Sequence, residues 1–145
     1  MTTTIKAIIF DYGNVLLEWN PRHVYRHYFP DDNDGMEQFF HEVDFMGWNA
    51  QQDRGRTFKE GVADLSSQFP HHAHLIQAYH DHWKESIGNA LTGTVEILKE
   101  LKLAGYSLYG LTNWSAETFP YARAKYAFFD LFDDMVISGI VGHVK

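Results

Sequence analysis

Ile5-Lys6-Ala7-Ile8-Ile9-Phe10-Asp11-Tyr12-Gly13-Asn14-Val15-Leu16 is the stretch on which the fold turns. Its first six residues are short, apolar and β-branched, and predict a buried strand. Asp11 stands at the carboxyl end of that strand, ahead of a glycine-containing turn. A carboxylate there is poorly placed for packing and well placed to meet a ligand, because open α/β sheets bind ligands beyond the carboxyl ends of their strands. The pattern returns twice. Leu108-Tyr109-Gly110-Leu111 runs into Thr112-Asn113, and Met135-Val136-Ile137 runs toward Lys145. An acid, a hydroxyl with an amide, and a lysine are therefore expected along one edge of a sheet.

The segments between these strands read as helices. Asn20 is a natural N-cap with Pro21 at the first helical position, which predicts a short helix over 21–29. Apolar spacing predicts further helices over 36–45, 57–69 and 75–86, the second opened by a capping box between Thr57 and Glu60. Residues 18–88 thus form an all-helical insert. After it come a helix over 94–104 stopped by Gly105, a strand over 106–111, a helix over 115–126 and a strand over 135–138. Strands separated by helices imply a parallel sheet with right-handed crossovers.

Composition narrows the function. The chain has 145 residues, enough for one domain or one domain with an insert. It has no cysteine, which excludes disulfides. Its formal charge is −7, and no basic stripe interrupts the acidic balance, which argues against nucleic acid as a partner. No segment approaches the ~20 apolar residues of a membrane span. Met1-Thr2-Thr3-Thr4 lacks the basic start and apolar run of a secretory leader. The expectation is a soluble, cytoplasmic protein with no membrane or nucleic-acid partner, for which a small anionic metabolite stays open as ligand. Anions remain compatible with the net charge because one lysine and a helix amino terminus act locally.

In order along the chain, Phe10-Asp11-Tyr12-Gly13-Asn14-Val15-Leu16, Leu111-Thr112-Asn113 and Gly139-Ile140-Val141-Gly142-His143-Val144-Lys145 resemble the first three motifs of the haloacid dehalogenase superfamily. The helical insert falls where that superfamily's helical-cap group carries its cap. The resemblance implies an α/β fold: a three-layer, Rossmann-like parallel sheet core (1–17 and 89–145) with a helical cap (18–88) inserted after the first strand. It implies that Asp11 is a nucleophile forming an aspartyl intermediate. It further implies that Thr112 and Asn113 hold the substrate anion, and that Lys145 holds nucleophile and anion together. Mg²⁺ would be bound by the Asp11 carboxylate and the Gly13 backbone carbonyl. Gly13 and Asn14 would present backbone groups to the substrate. Trp19 and Arg22, at the start of the cap, would complete the substrate site, with Trp48, Arg54 and Arg56 as further candidates.

The chemistry gives each part a reason. A carboxylate nucleophile splits one hard displacement into two easier ones. Attack on a phosphate brings two anions together, so lysine and a hard cation are needed to neutralise charge. Two departures from the family pattern stand out. Its phosphatases usually carry a second aspartate two residues after the nucleophile, as general acid and base, and that position is Gly13 here. The family also continues past the lysine into a further helix, a fourth strand and an acidic fourth motif. These residues are therefore expected to be part of a longer enzyme and to bind Mg²⁺ poorly alone.

The expected activity is Mg²⁺-dependent hydrolysis of a small phosphorylated metabolite such as a sugar phosphate. Two rivals stand beside it: a metal-independent 2-haloacid dehalogenase, and a non-catalytic module that binds a ligand in the same pocket. The histidines at 71, 72, 74, 80 and 82 lack zinc-site spacing and read as polar surface positions. Asp31-Asp32-Asn33-Asp34-Gly35 has no closing glutamate and is not a calcium loop.

Overall fold

The computed structural model describes residues 4–145. Residues 1–3, on which most of the leader reading falls, lie outside the described residues. In chain order the elements are β1 (Ala7–Phe10), β2 (Leu17–Trp19), α1 (Arg22–Tyr25), α2 (Asn33–Glu42), α3 (Phe45–Asp53), α4 (Phe58–Gln68), α5 (Ala73–His82), β3 (Ile87–Ala90), α6 (Thr92–Leu103), β4 (Ser107–Thr112), α7 (Phe119–Lys125), β5 (Asp134–Ile137) and α8 (Ser138–Val141).

The main sheet has the order β1-β4-β5 and is parallel throughout, as alternating strands and helices require. Helices flank it, giving the α/β architecture expected from sequence. Register fixes the site. Phe10 lies opposite Gly110, and Thr112 lies opposite Ile137. β4 and β5 end level and β1 ends two residues short of Thr112, so Asp11, Thr112 and the segment after β5 meet at one edge.

One aspect of β1 differs from its sequence reading. It was expected to be buried, yet Ile9 is 66% exposed while Ile8 and Phe10 pack on the core. Among the described residues β1 pairs only with β4, so one face and one edge stay open.

Two hydrophobic clusters organise the chain. One contains Tyr12, Leu16, Leu98, Leu108, Phe119, Phe129 and Ile137 and sits against the sheet. The other contains Val24, Tyr25, Phe39, Phe45, Trp48, Leu65, Ile76 and Tyr79 and lies wholly within the helical insert. The second is dense in aromatics. Tyr25 meets Phe39, Phe40 and Phe45 at ring separations of 5.2–6.1 Å and donates its hydroxyl to the Leu75 carbonyl. Such offset and edge-on contacts each add about 0.5–1.5 kcal/mol beyond burial.

The insert is less uniformly helical than its sequence suggests. β2 and β3 pair antiparallel, Leu17 with Ala90 and Trp19 with Ile87, so the two passages between sheet and insert run side by side. The Glu18 carboxylate accepts the Asn89 N–H across them. The predicted helix at 21–29 shrinks to α1, and a helix over 45–53 appears where none was predicted. Thr57 and Glu60 do form the capping box of α4. Asp44, in the left-handed region at φ 46°, accepts the Gly47 N–H and starts α3. No helix among the described residues is long and apolar enough to cross a membrane.

Candidate active site

The loop after β1 is one tight turn. The Tyr12 carbonyl accepts the Val15 and Leu16 N–H groups, and the Asn14 N–H donates to the Leu17 carbonyl at 2.7 Å. Asn14 sits at φ 58°, a left-handed conformation that asparagine tolerates better than most residues. Its side-chain oxygen accepts the Trp19 N–H at 2.9 Å and closes the turn. The outcome is that Asp11 and Gly13 face outward from the strand end while Tyr12 points inward, fully buried among Phe119, Phe129 and Phe132. Burial pushes the Tyr12 phenol far above its ordinary range, and its hydroxyl has no partner among the described residues.

Asp11 is held from two sides. One carboxylate oxygen accepts the Tyr12 N–H at 2.7 Å, and the other lies 2.6 Å from the Lys145 ammonium. Lys145 is itself fixed: its Nζ donates to the Leu111 carbonyl at 3.0 Å, and its backbone N–H donates to Asn113 Oδ1 at 2.9 Å. The three sequence motifs are thus joined by direct contacts. Thr112, only 3% exposed, closes the end of β4. Behind it the Trp114 N–H donates to Ser138 Oγ, and the Gly139 N–H donates to the Trp114 carbonyl, tying the loops after β4 and β5 together.

These residues open onto a cavity of about 330 Å³ between the sheet edge and the helical insert. Asp11, Gly13, Asn14, Thr112, Asn113 and Lys145 form its floor. Trp19 lines it as expected. Arg22 does not. Its guanidinium is paired with the Glu37 carboxylate, 2.8 Å at Nη2, and lies over the Phe40 ring, in a separate depression on the insert. Adjacency in sequence to the first motif suggested a substrate contact, but α1 turns this side chain toward α2. Trp48 is buried inside the insert with its indole N–H on the Gly61 carbonyl, and Arg56 is engaged by Gln52 and Asp64.

The wall opposite the floor holds groups that sequence reading did not single out. Met46, Phe58, Tyr79, Trp83 and Ile87 make it largely apolar, and Asn49, Asp53 and Ser86 are its polar members. Asp53 ends α3 and comes beside the loop after β4. Burial pushes its carboxyl up to about 6, against the opposing pull of the nearby Ser115 N–H. Burial also pushes the Tyr79 phenol up to about 12. Nothing in Gln51-Gln52-Asp53-Arg54 marks the acid as different from a surface residue.

One histidine pair differs from the plain surface reading. His71 and His72 each place Nε2 3.0 Å from an oxygen of Glu42, and this contact holds the Glu42 carboxyl below its usual range. The cluster lies on the helical insert and is not part of the cavity.

No family model matches the chain. Among curated proteins it is similar to the sesquiterpene phosphatase astK of Aspergillus oryzae, 29% identical over 148 residues, covering all of this chain and 70% of that protein. Among solved structures it is similar to the HAD family enzyme bt-2542 of Bacteroides thetaiotaomicron, with a TM-score of 0.71 at 17% identity, covering 99% of this chain and 73% of that one. An alanine variant of the same enzyme, in complex with magnesium and inorganic phosphate, matches with a TM-score of 0.68 at 16% identity, covering 98% and 72%. In fold, the chain is similar to these HAD family enzymes.

Proposed function

We propose that this haloacid dehalogenase-like chain is the catalytic part of a Mg²⁺-dependent phosphatase acting on a small phosphate ester whose organic portion is apolar. The observation that carries the reading is the Asp11–Lys145 pair at 2.6 Å, with Thr112 and Asn113 on the floor of the same cavity. Asp11 is the nucleophile. Lys145 offsets the repulsion between its carboxylate and an incoming phosphate, and being anchored on Leu111 and Asn113 it needs no reorganisation to do so. Thr112 and Asn113 hold the phosphate oxygens. Residues 18–88 act as the cap.

The donor set suits magnesium. Asp11 is 41% exposed and offers a hard carboxylate oxygen, and the Gly13 carbonyl adds a second oxygen from the same turn. Mg²⁺ is commonly held by one or two carboxylates together with waters and substrate phosphate. When bound there it would neutralise charge on the phosphoryl group.

The substrate's organic part is read from the cap wall. Trp19, Met46, Phe58, Trp83 and Ile87 present carbon surface, with Asn49, Asp53 and Ser86 as the polar groups on the same wall. An apolar chain agrees with this wall and with the sesquiterpene phosphatase to which the chain is similar. It replaces the sugar phosphate suggested by sequence as the favoured ester.

The test is phosphate release by the full protein from a fifteen-carbon prenyl monophosphate and from a hexose phosphate. The expected result is turnover of the prenyl ester, at least tenfold higher in kcat/KM, abolished by EDTA and restored by Mg²⁺, since each ~1.4 kcal/mol of extra apolar contact is tenfold. Halide release from a 2-haloacid that EDTA leaves untouched would overturn it in favour of the dehalogenase.

A further inference from the structure

A phosphate ester with a poor leaving group needs a proton as its P–O bond breaks, and the nucleophile's own loop supplies none. Position 13 is glycine, and a side chain there would meet nothing within 4 Å. Among the described residues lining the cavity, the titratable groups are Asp11, Asp53, Tyr79 and Lys145. Asp11 is needed as the nucleophile. Lys145 is committed to Asp11. Tyr79 keeps its proton up to about pH 12. One group remains, and it stands on the correct side. In-line displacement drives the leaving oxygen away from Asp11, toward the cap, and Asp53 enters the cavity from cap helix α3.

We propose that Asp53 is the general acid and base of this site, supplied by the cap in place of the nucleophile loop. This rests on the phosphatase reading above. In the first half-reaction an Asp11 oxygen bonds to phosphorus, the ester P–O bond breaks, and the Asp53 carboxyl passes its proton to the departing oxygen, yielding the alcohol. In the second, water attacks the aspartyl phosphate, the Asp53 carboxylate takes the water's proton, and the P–O bond to Asp11 breaks, releasing phosphate. Both residues end as they began.

The surroundings allow the cycle. Asp53 shares the cavity lining with Asp11, Lys145 and Tyr79, and the Ser115 N–H acts directly on its carboxyl. Around it, Arg54 is the next residue in the chain, Glu117 is engaged by the Phe58 N–H, and Arg56 is engaged by Gln52 and Asp64. α8, packed against α3, carries no charge in Ser138–Val141. With burial as its main perturbation, the carboxyl stands at about 6, where both protonation states are available near neutrality. A proton donor on the cap also makes catalysis conditional on the cap being in place.

The test compares Asp53→Asn with the parent protein on two substrates and reads the carboxyl directly. In a single turnover with an alkyl or prenyl monophosphate the variant should release the alcohol roughly 10²–10⁴-fold more slowly. In a single turnover with p-nitrophenyl phosphate, whose leaving group needs no proton, it should release nitrophenolate within about fivefold of the parent's rate, which also shows that it folds. A carbon-13 NMR titration should show one aspartate carboxyl near 6 that is missing from the variant. Equal losses on both esters, no loss on either, or an Asp53 carboxyl titrating in the ordinary range near 4 would each overturn the proposal. If the parent protein cleaves neither ester, the phosphatase reading fails, and the NMR titration still decides whether Asp53 is tuned for proton transfer.

Discussion

Asp11→Asn is expected to lower phosphate release by roughly 10⁴-fold or more while leaving the protein folded. The amide has nearly the same shape, and its oxygen can still accept the Tyr12 N–H that now bonds Asp11 at 2.7 Å. What it loses is the anionic lone pair that attacks phosphorus and the charge that pairs with Lys145. The pair is more than a third exposed on both sides, so its loss should cost at most about 1 kcal/mol of stability. Activity and stability therefore separate cleanly. The measurements are single-turnover phosphate release, thermal melting, and uptake of beryllofluoride, which should bind the parent and not the variant. A variant retaining activity within tenfold, or binding the phosphate mimic equally, would show that Asp11 does not form the covalent intermediate.

Gly110→Ala should cost about 3 kcal/mol, lowering the melting temperature by roughly 10 °C. The reason lies beneath the active-site turn. Tyr12 is driven into the core by the same turn that exposes Asp11, and its ring lies against β4 at position 110. A Cβ there would fall inside the contact radius of the Tyr12 hydroxyl and stand 2.8 Å from Cε1. Both residues are boxed in, the tyrosine by three aromatic rings and the glycine by strands on both sides. Tyr12→Phe removes the nearest clashing atom, a hydroxyl that is buried without a partner among the described residues. Alone it should be neutral or stabilising by up to about 1 kcal/mol. In the Gly110→Ala background it should recover at least about 1 kcal/mol, a coupling that denaturant unfolding of the four proteins would measure. Strict additivity would mean that the clash is relieved elsewhere.

What could be read from sequence follows from where the signal is local. Asp11, Thr112 and Lys145 were legible because each ends an apolar run or closes a motif, and parallel pairing then brings such ends to one edge. The capping box of α4 was legible because it is written in four consecutive residues. β2 and β3 were not. They are three and four residues long, carry Glu18, Gly88 and Asn89, and are defined by pairing with each other across the insert. α3 was hidden for a different reason. Its interior positions include Asn49 and Gln52, and Gln52 is fully buried because its amide donates to the Trp48 carbonyl and accepts from Arg56. Buried polar residues erase the apolar stripe on which helix reading depends. With α3 unread, Asp53 could not be placed, and Arg22 was read toward the substrate from its closeness in sequence to the first motif.

The separation of the two hydrophobic clusters has a bearing on how the chain acquires its structure. Ala7 pairs with Ser107, a hundred positions later, whereas the insert's cluster draws all its members from residues 24–79. Contacts that are close in sequence form sooner than distant ones, because less chain entropy is lost in closing them. The insert should collapse first and shorten the gap that β1 and β4 must bridge. During synthesis, β1 would wait unpaired until β4 has left the ribosome. Pulse-labelled hydrogen exchange would show this as protection of α4 and α5 ahead of β4, and simultaneous protection would mean that the whole chain condenses as one unit.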